Sequence, residues 1–287
     1  MFNPTTIVID AFVETLKESY ERVYGLLDPE FGNVARFVGR ISLETIANSD
    51  AAYHDVNHTI MVTQVGLEIL RGKQISEGGV STKNWLNFVV SLLCHDVGYV
   101  RGICRGDTPG NYVRNLNGET IAIDEGATDA ALTPYHVQRS QLFVRERFGS
   151  NPLIDSKIVE ANIVSTEFPV PQNESAKNSN EYAGLLRAAD LIGQLADLNY
   201  DRKQAALFHE FQETGTNDIL GYKSPADLRS NYPKFFWNAV FPYIGESLRH
   251  LSVTQDGKQW IANLFANVFA QEHGTVGTGM ISNIGEQ

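Results

Sequence analysis

Apolar residues in this chain recur at three- and four-residue intervals and almost never alternate with polar ones. Phe12, Leu16, Tyr20, Val23 and Leu27 form one such series; Trp85, Phe88, Val89, Leu92 and Leu93 form another. That spacing marks one face of an α-helix. The period-two alternation of a half-buried strand is missing. The expected fold class is therefore all-α. The spacing predicts helices over 8–27, 33–47, 53–70, 134–148, 153–165, 230–251 and 258–271, with Thr82 capping a further one through Leu93. Residues 182–215 read as one long helix or two abutting ones. Residues 72–81 and 169–179 read as loops, and the Gly-, Ser- and Asn-rich tail 274–287 as flexible. Between Gly98 and Asp124 the periodicity fails amid Gly102, Gly106, Gly110, Gly118 and Pro109. Irregular stretches that long are usually functional or disordered. With no fixed-period repeat and no linker, residues 1–287 are expected to form a single domain, the N-terminal helices (1–50) packing on a compact multi-helix bundle.

A chain of 287 residues can bury about three quarters of its unfolded surface, enough for a rigid internal site. Its formal net charge of −11 argues against a nucleic acid polymer as partner. Local cations or a metal can still reverse the field at one site. The two cysteines, Cys94 and Cys104, make neither a disulfide framework nor a four-thiolate zinc site. Trp85 to Cys94, the longest apolar stretch, is too short for a membrane span. Nothing near Met1 resembles a signal peptide. The expectation is a cytoplasmic protein without membrane attachment; a homo-oligomer is compatible with all of this.

Chemistry concentrates at four places. His54 and His58, in Tyr53-His54-Asp55-Val56-Asn57-His58, are spaced i, i+4 and would share one helix face. His95-Asp96 ends the apolar run from Val89, with Gly98 as a helix stop just beyond. Asp190 stands in the apolar stretch Leu185-Leu186-Arg187-Ala188-Ala189-Asp190-Leu191-Ile192, and a buried carboxylate needs a partner or a metal. His136 opens the helix after the irregular stretch. Imidazole and carboxylate ligands together suit Zn, Mn, Fe, Co or Ni, with Mg at a more oxygen-rich second position.

His58, His95-Asp96 and Asp190, in that order, resemble the H…HD…D signature of the HD superfamily of metal-dependent phosphohydrolases. Tyr53-His54-Asp55-x-x-His58 is similar to the Tyr-His-Asn-x-x-His box of class I cyclic-nucleotide phosphodiesterases. Ala189-Asp190-Leu191 with Glu210-Phe211-Gln212-Glu213-Thr214-Gly215 resembles a second segment of that family, and Phe235 to Leu248 with Pro242 its closing helices. The resemblance covers about residues 50–268. It implies an HD-domain bundle in which His58, His95, Asp96 and Asp190 bind one of one or two divalent metals, and Asp96 bridges to the second. It also implies a metal-activated hydroxide as nucleophile, with His54 as general acid. The implied activity is hydrolysis of a small phosphorylated molecule, a nucleotide-like phosphodiester. A phosphomonoesterase or nucleotidase of the same superfamily, or a non-catalytic metal-containing binding module, are the alternatives. The chain departs from the family in having Asp55 for Asn, in lacking a further Asp-His after His95-Asp96, and in placing Tyr232 where the base-clamping glutamine falls.

Weaker candidates for phosphate contact or for support of the metal ligands are His136, Glu167 and Arg101. Arg101 has Arg105 and Arg114 near it in sequence, and a solvated loop is the simpler reading of all three. For Glu167 the simpler reading is a helix-end carboxylate, and for Arg187 a surface ion pair. The aromatic residues Phe235, Phe236, Trp237, Phe241 and Tyr243 read as core rather than as a platform for a base, with one face able to border the pocket.

Overall fold

The computed structural model describes residues 2–167 and 181–281. The fold is all-α. The loop expected over 169–179 lies outside the described residues, as do the last residues of the tail, 282–287.

Helix α1 (Pro4–Tyr24) starts where the Asn3 side chain accepts the Thr5 N–H at 3.0 Å, with proline at the first helical position, where its missing donor costs nothing. It packs against α2 (Glu30–Ile46). Two central helices follow. α3 (Val56–Ser76) is capped by Asp55, whose carboxylate accepts the His58 N–H at 2.8 Å. α4 (Thr82–Cys94) is capped by Ser81, not Thr82, and is buried without a break from Trp85 to Cys94. Burial on every face makes α4 the axis of the core and fixes where His95 and Asp96 emerge.

After α4 the chain makes a 3-10 turn (Val97–Tyr99) and a hairpin of β1 (Asn111–Val113) and β2 (Thr120–Ala122), antiparallel with Tyr112 opposite Ile121. A second 3-10 segment (Asp129–Tyr135) leads into α5 (His136–Phe148) and then α6 (Ser156–Ile163). Arg139, on α5 and fully buried, holds this irregular stretch in place. Its Nε donates to the Gly98 carbonyl at 2.7 Å, Nη1 to Val113 O at 2.6 Å and Asp107 Oδ1 at 3.0 Å, and Nη2 to Val100 O at 2.8 Å and Asp107 Oδ2 at 2.9 Å. Every guanidinium N–H is satisfied.

Two helices replace the expected segment 182–215: α7 (Glu181–Leu195) and α8 (Tyr200–Glu213). Short α9 (Thr216–Leu220) and α10 (Pro225–Phe235) follow. A π-turn (Phe236–Val240) leads into α11 (Phe241–Leu251), and α12 (Gln255–Ile281) closes the chain. α7 lies against α3, and α11 rests on both. At Gly193 a Cβ would come within 2.8 Å of Val62 Cα, so glycine permits backbone-to-backbone approach of the two helices that carry Asp190 and His58.

Further sequence expectations need correction. His54 is not on a helix face with His58: it precedes the Asp55 cap. Gly98 does not end α4, which stops at Cys94. Its Cβ would meet the His136 carbonyl oxygen at 1.9 Å, so its smallness lets α5 close over the turn. α3 runs on into the expected loop, to Ser76, and leaves 77–81 as the connection. α12 continues past Gly274 to Ile281, since an established helix gains one bond for each residue added and can carry glycines.

Candidate metal centre

The ends of α4, the first turn of α3 and the middle of α7 bring four side chains to one point. His58 Nε2 lies 3.1 Å from Asp96 Oδ2 and 3.4 Å from Asp190 Oδ1; His95 Nε2 lies 3.0 Å and 3.7 Å from the same two atoms. Yet His58 Nε2, His95 Nε2 and Asp96 Oδ2 are buried and make no hydrogen bond. They are close but not directed at one another. Buried polar atoms without partners are rare because each costs about 1–3 kcal/mol. Atoms aimed at a shared point resolve that cost when a cation occupies it.

For His95 a supporting bond selects which ring nitrogen faces the carboxylates. His95 Nδ1 lies 2.8 Å from the Leu92 carbonyl, so its proton is donated there and Nε2 presents a lone pair. The His58 N–H is held by Asp55, which fixes the start of α3 and the position of that ring. Among the described residues, two groups of side chains could hold a metal ion: His58, His95 and Asp190, and His54, His58 and Asp96. Two imidazoles with two carboxylates fit a divalent transition metal and leave positions for water. Asp190, whose side chain is 22% exposed, is the wet edge; His58, His95 and Asp96 are sealed.

The electrostatics follow from crowding. Burial alone would lower the His58 imidazole, but the adjoining Asp190 and Asp96 carboxylates raise it to about 9. Burial likewise opposes charge on His95, and Asp96 and Asp190 hold it well above the usual histidine range. Burial would raise both carboxylates; the imidazoles instead pull Asp96 well below, and Asp190 below, the ordinary aspartate value. The opposed shifts show that this cluster of carboxylates favours positive charge beside it; a cation held there would supply that charge and compete with protons for the imidazoles.

His54 stands beside this cluster. Its Nδ1 lies 2.6 Å from Glu210 Oε2, and Glu210 Oε1 also accepts the N–H groups of Tyr53 at 2.6 Å and His54 at 3.2 Å. Burial disfavours the charged imidazole, but the Glu210 charge and hydrogen bond raise it above the ordinary value. Glu210, raised by burial, is brought below its own by His54. The Tyr99 ring is stacked between two histidines, 4.3 Å from His54 at 13° and 4.6 Å from His136 at 26°. His136 donates Nδ1–H to the Thr133 carbonyl at 2.6 Å and turns Nε2 towards Asp96 Oδ1 at 3.8 Å. Burial lowers its pKa, so it is the neutral histidine of the group.

Thus His54, His58, His95, Asp96, His136 and Asp190 converge as the sequence suggested. Arg101 does not join them. It pairs with Asp129, and with Asp50 at 2.6 Å, and donates to Ala127 O at 3.2 Å, which makes it a tie for the irregular stretch. Arg105 donates to Glu146 O and Arg114 to Glu119. Glu167 is exposed just after the 3-10 turn that follows α6. Sequence reasoning quoted Glu210 without giving it a role and missed Tyr99. The available signal for Glu210 was a carboxylate three residues from Leu207 and adjacent to Phe211, on an apolar helix face. Tyr99 carried none.

No helix among the described residues is long and apolar enough to cross a membrane. No curated protein and no solved structure matches the chain. A family model described as Npun_R2479-like matches residues 2–274, a span that contains every side chain of this centre, and the chain belongs to that family.

Proposed function

We propose that the protein is a metal-dependent phosphohydrolase of the HD type, cleaving a small nucleotide-like phosphodiester. The observation that carries this reading is the convergence of three unpartnered buried ligand atoms, His58 Nε2, His95 Nε2 and Asp96 Oδ2, within reach of a histidine held by a buried carboxylate. His58, His95, Asp96 and Asp190 would hold the metal. A divalent ion held by them would supply positive charge for a phosphate and lower the pKa of a nearby water towards neutrality.

The chain's own residues supply the rest. His54, with Nδ1–H donated to Glu210, carries its transferable proton on Nε2 and delivers it to the leaving oxygen as the P–O bond breaks. Glu210 fixes the ring orientation and favours the imidazolium. Neutral His136 presents Nε2 towards the far side of Asp96. Tyr99, buried between the two rings, keeps water from that wall of the site.

The test is hydrolysis of a chromogenic phosphodiester and the matching monoester with Mn²⁺, with chelator, and with Asp96→Ala. The expected result is metal-dependent turnover of the diester that is lost in the variant. Turnover of the monoester alone would make the protein a phosphomonoesterase. No turnover by metal-loaded protein, with Asp96→Ala merely less heat-stable, would mean a structural metal in a binding module.

A further inference from the structure

Two arginines are buried among the described residues, and they are treated differently. Arg139 has all its N–H groups satisfied and a bidentate carboxylate partner in Asp107. Arg187, only 7% exposed, spends one: Nε donates to the Ser165 carbonyl at 2.7 Å. Its Nη1 and Nη2 make no hydrogen bond, and no acid pairs with it, among the described residues. Its Cζ also lies 5.4 Å from the centre of the Tyr243 ring. Burial lowers its pKa, and no carboxylate of the metal centre opposes that.

The stem is buried and Nε is tied, while the two Nη atoms still meet solvent; in a chain with a net charge of −11 acids to pair with that fork are abundant. Leaving it open suits an anion that arrives from outside. The fork matches phosphate bidentately. Position says which phosphate. Arg187 precedes Asp190 by one turn on the same face of α7, a rise of about 4.5 Å. The guanidinium turns to the Ser165 carbonyl and the Tyr243 ring, neither of them part of the metal centre, and no charge of that centre acts on it.

We propose that Arg187 is an anion site that grips a second phosphate of a substrate whose first phosphate reacts at the metal centre. The substrate class is then a small molecule bearing two separated phosphates. The role of the anion rests on the hydrolytic reading above; its binding does not.

The test uses the full chain. Inorganic phosphate is titrated by calorimetry in the presence of chelator into wild type, Arg187→Gln and Arg187→Lys. One saturable phosphate per chain is expected, weakened about tenfold or more by Arg187→Gln, a loss of about 1.4 kcal/mol, and less by Arg187→Lys. No saturable uptake by wild type overturns the proposal, as does an unchanged Kd in Arg187→Gln. If that variant does not fold, Arg187→Lys carries the comparison, and an unchanged Kd overturns the bidentate grip. In a second arm, Mn²⁺-loaded protein hydrolyses a nitrophenyl phosphoester with and without a second phosphate on the alcohol. Arg187→Gln should raise KM about tenfold for the doubly charged ester alone; an equal rise for both overturns the substrate class. Phosphate bound through Arg187 in a protein without turnover would keep the anion site and overturn the hydrolytic reading with the substrate class built on it.

Discussion

Glu210 and His54, 156 residues apart in the chain, share a hydrogen bond of 2.6 Å between Oε2 and Nδ1. The same carboxylate accepts the backbone N–H groups of Tyr53 and His54, so one side chain on α8 fixes both the ring and the segment leading into α3.

Glu210→Gln keeps the size of the group and removes its charge. Turnover should fall about 10–100-fold, the usual cost of losing a partner that orients a site histidine, while metal content stays unchanged. Steady-state kinetics beside elemental analysis checks this; loss of metal in step with activity would instead make His54 a ligand.

Gly193→Ala puts a methyl group 2.8 Å from Val62 Cα. The backbone cannot step aside as a side chain would, so α3 and α7 must part. A loss of about 1–3 kcal/mol is expected for such overpacking. Metal affinity should fall with it, because His58 and Asp190 sit on the two helices. Denaturant melts and a metal titration read both.

Arg139→Met leaves Asp107 buried without its partner. Breaking a buried pair from one side costs about 3–5 kcal/mol, and Arg139→Lys should not restore the loss because it cannot form the fork. Chemical denaturation measures the cost, and proteolysis within residues 100–124 should accelerate.

His250 is buried with both ring nitrogens unpartnered, its Nε2 3.9 Å from Glu246. Burial lowers its pKa, with Glu77 and Glu246 opposing and Lys73 and Arg249 reinforcing. The folded state therefore binds this proton less readily than the unfolded chain. The stability tied to neutral His250 is complete above about pH 6.5, the ordinary histidine value, and is lost as pH falls through the lower folded value. His250→Leu should be neutral or stabilising at pH 7.5 and should lose less stability than wild type between pH 7 and 5. Melting curves across that range test the difference.

Burial pushes the Cys94 and Cys104 thiols up to about 12. Since the thiolate is the reactive form, neither should react with a disulfide reagent at pH 8 until the protein is denatured. Rapid labelling of the native protein would show that the core around α4 opens.

The sequence by itself determined the fold class and picked out His58, His95, Asp96 and Asp190, which the fold brings together, because both are written locally. Helical spacing of apolar residues needs no knowledge of distant contacts, and His95-Asp96 at the end of an apolar run, or Asp190 inside one, is anomalous where it stands. Boundaries were less legible. Asp55 rather than Tyr53 opens α3, since a cap is settled by which side chain reaches an N–H, and glycines near Gly274 do not stop a helix already formed. Tertiary structure alone decided the rest. Glu210 holds His54 only because α8 folds back against the start of α3. Tyr99 lies between His54 and His136 because Gly98 lets α5 close on the turn. Arg101 is bound to Asp129 and Asp50, while Arg187 has no acid partner among the described residues. What a charged or aromatic side chain does depends on what stands opposite it, and that partner is set by packing between elements far apart in the chain.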